Sequence, residues 1–182
     1  MKHLGTQILA TEHLTLRRFE PEDAEHCFYN WLSDPEVAKY LTWAPYQTVE
    51  QVQERMAIWE NNYRKEDNYN WAIELNESEQ PIGSISVVSI NEDTESLEVG
   101  YCIGRKFWHR GIMTEALTEV VRFLMEEVGA GRVWAGCDSR NLYSAKTMAA
   151  VGMEYEGTLR RAGRNNQGLC DEVICANIRS AA

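Results

Sequence analysis

The residues best able to do chemistry lie in one run, LEVGYCIGRKFWHRGIMTEAL, at positions 97–117. A strand leads into a short basic turn, RKFWHRG, and the turn opens a helix. The first N–H groups of a helix lack intrahelical partners and carry partial positive charge, which suits phosphate. Gly111 lets the backbone approach a ligand closely. Arg105, Lys106 and Arg110 add positive charge to an otherwise acidic chain. A pyrophosphate is the natural guest; the plain alternative is a solvated connection to a core helix. The spacing matches neither a Walker A loop nor G-x-G-x-x-G, which disfavours a nucleoside triphosphatase or a dinucleotide dehydrogenase.

Other groups invite the same weighing. Leu97, Val99, Tyr101 and Ile103 alternate with Glu98, Gly100, Cys102 and Gly104. If the first set faces the core, the second lines a cleft. Glu98 is then a carboxylate placed to take a proton from an ammonium nucleophile; otherwise it is a surface glutamate. Glu115 reads as a helix-start carboxylate favoured by the dipole. Asn141 and Ser144 read as a helix N-cap and a first-turn serine. Cys102 and Cys137 fall on expected buried strands, and His3, His13, His26 and His109 show no partner motif for a nucleophilic cysteine. No cluster has metal-ligand spacing, so no metal is expected.

These groups need elements to hold them. Leu14 to Arg18 alternates as a strand. A helix follows from Pro21, with Glu22 and Asp23 at its positive end, and stops near Ser33. A second helix runs from Thr48 to Tyr63, with Thr48 and Gln51 as a capping box. Asn70–Glu74 and Ile82–Ile90 read as strands joined by a polar turn, and Leu97–Ile103 as a third. Met113, Ala116, Leu117, Val120, Val121, Leu124, Met125 and Val128 keep helical spacing, and Gly129 ends that helix. Arg132–Cys137 is a short buried strand, Ser144–Val151 a short helix stopped by Gly152, and Met153–Arg161 with Leu169–Ile178 a closing hairpin. The order β-α-α-β-β-β-α-β-α-β-β implies an α/β (α+β) domain with one parallel pair in a mixed sheet.

The run WHRGIMTEA, from Trp108 to Ala116, resembles the acyl-CoA pyrophosphate loop of the GNAT N-acetyltransferase superfamily, in particular its RimJ/RimL-type branch, which includes ribosomal-protein alanine N-acetyltransferases. LTLRRFEPEDAEHCFYNWLSDPEVAKYL resembles that branch's opening strand, first helix and Asp-Pro-Glu-Val turn. PIGSISV and LEVGYCIG resemble its third and fourth strands, and NLYSAKTMAAVGMEYEGTLR its Asn-x-x-Ser helix and late strand. Two departures stand out. The superfamily pattern Arg/Gln-x-x-Gly-x-Gly/Ala falls on Trp108, Gly111 and Met113, and His109 stands where many relatives have Gly.

The resemblance implies one GNAT domain over 1–182, with a mostly antiparallel sheet splayed between its fourth and fifth strands. Acetyl-CoA lies in that gap, and an amine attacks its thioester directly. By resemblance, backbone groups of Tyr101, Cys102 and Ile103 hold the pantetheine arm, and one N–H polarises the thioester carbonyl. Trp108, His109, Arg110, Gly111, Ile112, Met113 and Thr114 form the pyrophosphate loop. Asn141 contacts the arm, Lys146 reaches the 3′-phosphate, and Ser144, or alternatively Tyr143, protonates the leaving thiolate. Trp43, Tyr46 and Asp171 are candidate acceptor contacts. The acceptor is a protein N-terminus or a small amine such as a polyamine, amino acid or aminoglycoside-like compound. The competing reading is a non-catalytic acyl-CoA-binding regulatory or interaction module.

Composition narrows the classes. The 182 residues are 44% hydrophobic and 25% charged, ordinary for a globular chain that buries a core without staples. Acidic residues outnumber basic ones 28 to 18, and the net charge of −10 disfavours nucleic acid and fits a cationic acceptor. The five cysteines form no C-x-x-C pair, which argues for a reducing compartment. No apolar run approaches about 18 residues, so no membrane span is expected. The start lacks a signal-peptide core. The expectation is a cytoplasmic protein, monomeric or homodimeric.

Overall fold

The computed structural model describes residues 1–179. The last three residues of the expected 1–182 domain lie outside that range. Strands β1 (Leu9–Ala10), β2 (Leu14–Arg17), β3 (Asn70–Leu75), β4 (Pro81–Asn91), β5 (Ser96–Ile103), β6 (Arg132–Asp138), β7 (Glu154–Asn165) and β8 (Gly168–Ile178) form one eight-stranded sheet in the order β1-β2-β3-β4-β5-β6-β8-β7. Neighbours are antiparallel except β5 and β6. That parallel step needs a crossover, which helix α4 (Ile112–Glu126) provides. β1 and the short helix α2 (Pro35–Ala38) had no signal in the expected order; α2 is a single turn capped by Asp34, which accepts from Glu36 N–H at 2.9 Å.

Helix α4 keeps the periodicity read from its sequence. Ala116, Leu117, Val120 and Leu124 are fully buried against the sheet face carrying Leu14, Leu16, Trp71, Ile73, Ile85 and Leu97. Met125 is only partly buried, Val128 is buried although α4 ends at Glu126, and Gly129 (φ +82°) turns the chain out. The opposite face carries a smaller core of Phe19, Cys27, Trp31, Val52, Met56 and Ala72. It is covered by α1 (Ala24–Cys27) and α3 (Val49–Asn62). The expected single helix from Pro21 to Ser33 is a composite: a 3-10 turn at Pro21–Asp23, α1, then a π-helical turn at Phe28–Leu32. At α3 the cap is half of the expected box. Thr48 Oγ1 accepts from Gln51 N–H at 3.4 Å, but the Gln51 side chain turns to Gln47 N–H instead of closing on Thr48. Arg17 ties β2 to both layers through Asp23 and Glu74, each at 2.7 Å.

Helix α5 (Leu142–Ala150) starts two residues before the expected Ser144, because Asn141 is its N-cap. The closing hairpin strands are longer than expected, since β7 and β8 pair to the turn with two register shifts. Among the described residues, no helix is long and apolar enough to cross a membrane.

Candidate active site

Strands β5 and β6 pair only at Ser96↔Arg132, Leu97↔Val133 and Glu98↔Trp134, then part, although each continues further. The parting leaves backbone groups without ladder partners. Gly104 N–H donates to Ile82 O at 2.8 Å, so the alternation of an antiparallel ladder turns the N–H and C=O of Ile103, Tyr101 and Val99 toward the gap. The Ile103 carbonyl is taken by Trp108 Nε1 at 2.9 Å, which pins the following loop to the strand end. The remaining groups face a cavity of about 780 Å³. Each expected cofactor contact lines it: Tyr101, Cys102 and Ile103 from β5, the run Trp108–Thr114, and Asn141, Ser144 and Lys146 around α5. Tyr143 lines it as well.

The loop before α4 is shaped by two left-handed residues. Gly111 is the N-cap at φ +76° with no side chain capping the helix, so the N–H groups of Ile112, Met113 and Thr114 are left for another acceptor. His109 holds φ +59°, a conformation natural to glycine. Its ring lies 4.3 Å, centroid to centroid, from that of Tyr143, so the loop and α5 touch across the groove. The side chains of Ile112 and Met113 are buried in the core, which leaves only their backbone to the groove. Of the three basic residues singled out in the turn, only Arg110 lines the cavity; Arg105 is paired with Asp34 at 3.1 Å. Lys146 stands over the Tyr143 ring at 5.8 Å. Neither Arg110 nor Lys146 has a carboxylate partner among the described residues, so both charges are available to phosphate.

Tyr101 crosses the gap. Its hydroxyl lies 2.8 Å from Ser144 Oγ and 3.2 Å from the Ser144 carbonyl oxygen. Ser144 N–H donates to Asn141 Oδ1 at 3.3 Å, which sets the serine at the first turn of α5. Burial pushes the Tyr101 phenol well above its usual range, so it stays protonated. Burial also pushes the Cys102 and Cys137 thiols up to about 11, so neither is a thiolate nucleophile near neutral pH. Glu98 is half-buried at the apex of the fork, the last residue of β5 paired with β6. Against the expectation that it lines the cleft, it is not among the residues around this cavity: the lining of β5 begins at Val99, where the strands have parted. Its carboxyl is raised above the ordinary value, first by burial and then by the charge of Glu172. Glu115 is used structurally: its carboxylate accepts from Thr11 Oγ1 at 2.6 Å and His13 N–H at 2.9 Å.

Trp43 and Tyr46 line a second cavity of about 290 Å³, between α3 and the sheet, which shares Cys102 with the first. Asp171 lines neither cavity. Its carboxylate accepts from Arg161 N–H at 2.8 Å and its carbonyl from Ser139 N–H at 2.9 Å, so it holds the β7–β8 hairpin. The hairpin tip in turn clamps the loop after α2: Asn166 Nδ2 donates to Ala38 O and Trp43 O, each at 2.8 Å.

Asp138, at the end of β6, is 4% exposed and ties this region together. It accepts from Arg140 Nη2 at 2.6 Å and Asn165 Nδ2 at 2.8 Å. The Arg140 guanidinium holds its carboxyl well below the usual carboxylate range. A folded-state pKa below the unfolded one gives stability that is complete above the unfolded pKa of about 3.9 and is lost as pH falls further. Asp138→Ala is expected to cost about 1–3 kcal/mol at neutral pH, by orphaning the donors that face it. Urea unfolding at pH 7 and pH 3 checks this, and the variant should lose less stability on acidification than the parent. Equal acid slopes would refute it.

Sequence reasoning missed the Tyr101–Ser144 pair, whose partners are 43 positions apart. It also missed Tyr40, Phe107 and Arg140 on the first cavity and Arg55, Asn68 and Asn70 on the second. Only Ser84 and Ser86 carried a signal, since they alternate with Ile85 on the face that holds Cys102.

The geometry is that of a splayed sheet with an open helix N-terminus beside it, and comparison with known proteins agrees. The profile described as Acetyltransferase (GNAT) domain matches residues 13–154. The uncharacterised N-acetyltransferase p20 of Bacillus licheniformis is 29% identical over 154 residues, covering 85% of this chain and 86% of its own. The solved structure of RimL, a ribosomal L7/L12 alpha-N-protein acetyltransferase in complex with coenzyme A, superposes with TM-score 0.84 at 18% identity, covering 94% of this chain and 98% of that one. That of the microcin C7 self-immunity acetyltransferase MccE, in complex with acetyl-CoA and AMP, gives TM-score 0.82 at 19% identity over 93% and 94% of the two chains. With a matching profile over most of its length, the chain belongs to the GNAT acetyltransferases, acetyl-CoA-dependent enzymes that pass an acetyl group to an amine.

Proposed function

We propose that acetyl-CoA is held along the β5–β6 gap and delivered to an amine that enters from the α3 side. The observation that carries this reading is the fork after Glu98↔Trp134, opening beside the uncapped N-terminus of α4. The fit is good on chemical grounds. Free N–H groups at Ile112, Met113 and Thr114, with Arg110 and Lys146, answer a pyrophosphate and a 3′-phosphate. Gly111 and His109 give the loop its left-handed turn, Trp108 fixes it to β5, and the His109–Tyr143 contact bounds the groove.

The bound thioester supplies an activated acyl group; the chain supplies position and protons. The N–H groups of Tyr101 and Ile103 orient the arm and polarise the carbonyl, over the floor at Cys102. Glu98 takes the ammonium proton, directly or through water. Ser144 gives its hydroxyl proton to the departing sulfur, with the Tyr101 hydroxyl behind it at 2.8 Å. Asn141 holds that serine and touches the arm. Tyr143 is the alternative acid, but it is exposed at the groove mouth and packs at a tilt against His109, which favours Ser144. Trp43 and Tyr46 meet the acceptor, and Asp171 supports the hairpin that bounds it.

The acceptor is an amine, either a protein N-terminus, as the names of RimL and its relatives suggest, or a small molecule. Residues 1–182 act as one domain in the cytoplasm, as a monomer or homodimer. A thermal-melt titration tests the reading. Acetyl-CoA and CoA, but not ATP, should stabilise the protein, by about 2.7 kcal/mol at a hundredfold excess over Kd. Thiol release with an amine panel should follow. Stabilisation without thiol release on any amine would favour the non-catalytic binding module, and no stabilisation would overturn the assignment of the groove.

A further inference from the structure

The second cavity, between α3 and the sheet, has a chemistry that runs against the rest of the chain. The protein carries net charge −10, yet among the described residues no Asp or Glu lines this cavity, and a guanidinium, Arg55, does. Arg55 Nε donates to the Tyr46 hydroxyl at 3.1 Å, and no carboxylate pairs with Arg55 among the described residues. On the sheet side stands Asn70, 8% exposed, with its Nδ2 unpartnered; Asn68 Nδ2 is likewise buried without a partner. Buried amides left unpaired are costly and rare; both nitrogens are covered as they stand, so a turn of either side chain toward the cavity would both present a donor to a ligand and relieve that cost. Trp43, Tyr46 and Trp59 give flat apolar walls. The cavity meets the cofactor cavity at Cys102, so a group seated here reaches the place where the thioester lies.

We propose that the acceptor is a small amine that also carries a carboxylate, an amino-acid-like zwitterion with an apolar framework. Its carboxylate is held by Arg55, with the Asn68 and Asn70 carboxamides turning to join it, and its amine points to Cys102. The inference rests on the acetyltransferase reading of the neighbouring gap. In the transfer the amine nitrogen forms a bond to the acyl carbon, the carbon–sulfur bond breaks, the ammonium proton goes to the base, and the thiolate is protonated. A polyamine or aminoglycoside-like polycation meets a guanidinium and no carboxylate in this cavity, so the acidic surface that suggested such acceptors does not extend to the place where the acceptor sits.

Tryptophan fluorescence reads the cavity directly, through Trp43 and Trp59. With CoA present, phenylalanine, methionine and leucine are titrated against their decarboxylated amines, with spermidine and an N-terminal alanyl peptide amide as comparators. At least one zwitterion should bind about tenfold more tightly than its decarboxylated amine, the value of one good charged pair. Arg55→Gln should bring that ratio near one, Arg55→Lys should restore part of it, and the melt shift with acetyl-CoA should be unchanged in both. Equal binding of every zwitterion and its amine, tighter binding of spermidine or of the peptide amide, or a ratio untouched by Arg55→Gln would overturn the proposal. Zwitterion-selective binding without thiol release would refute catalysis at the gap and still support this cavity's assignment.

Discussion

Gly111→Glu is expected to weaken acetyl-CoA binding by about 100-fold or more, or about 3 kcal/mol, while the protein stays folded. The site is the N-cap of α4, where a bound pyrophosphate would meet the free N–H groups. A carboxylate there faces like charge. Two unit charges about 4 Å apart repel by about 4 kcal/mol at the effective dielectric of a protein surface, and relaxation recovers part of that. The fold should tolerate the change because a Cβ on Gly111 meets nothing within 4 Å. What remains is backbone strain at φ +76°, worth about 1–2 kcal/mol for a non-glycine residue. Gly111→Ala is the control: it carries the strain without the charge and should bind acetyl-CoA much better than Gly111→Glu. Titration calorimetry on both variants, with their melts, separates the two effects. Unchanged acetyl-CoA affinity in folded Gly111→Glu would remove the phosphate role of this loop.

The elements that position this loop were legible because each is written locally. The period of Ala116, Leu117, Val120 and Leu124 and the alternation of Leu97, Val99 and Ile103 record which face each element buries, and all seven are buried. The asparagine at position 141 signalled its own cap. What stayed hidden is what depends on partners far away in sequence. Nothing in Arg132–Asp138 says that pairing with β5 stops at Trp134 while pairing with β8 runs the whole strand. The gap exists because of that mismatch. Tyr101 looked like a core-facing residue of an alternating strand, and it is a bridge to Ser144 across the gap.

The acceptor side was less legible still. Arg55 lies on an amphipathic helix where a charged residue reads as solvated surface, and Asn68 and Asn70 flank the start of a strand. Their meaning comes from meeting Trp43, Tyr46 and Cys102 around one cavity. Whole-chain charge fitted a cationic acceptor without choosing among them, because a net charge averages over the surface and holds no information about one cavity. The expected acceptor contact at Asp171 illustrates the same limit: its side chain is spent on the Arg161 N–H that shapes the hairpin.

Glu98→Gln is expected to lower kcat by about 100-fold to 10,000-fold with little effect on acetyl-CoA binding, the usual span for loss of a general base. Amide and carboxylate have the same shape, so the fork should persist. The pH profile gives the sharper check. Glu98 must be ionised to accept a proton, so the rate rises with pH through its pKa. Burial at the apex of the fork, and then the Glu172 charge, lifts that pKa, so the acidic limb lies above the ordinary glutamate value of about 4.3. Glu172→Gln removes the like charge and leaves the burial. Its limb should therefore move to lower pH, while Glu98→Gln should lose the limb altogether. If Glu98→Gln keeps its rate within about twofold, or if the limb survives in it, proton removal belongs to an ordered water chain or to another group. If Glu172→Gln leaves the limb in place while Glu98→Gln abolishes it, burial alone sets the pKa at the fork.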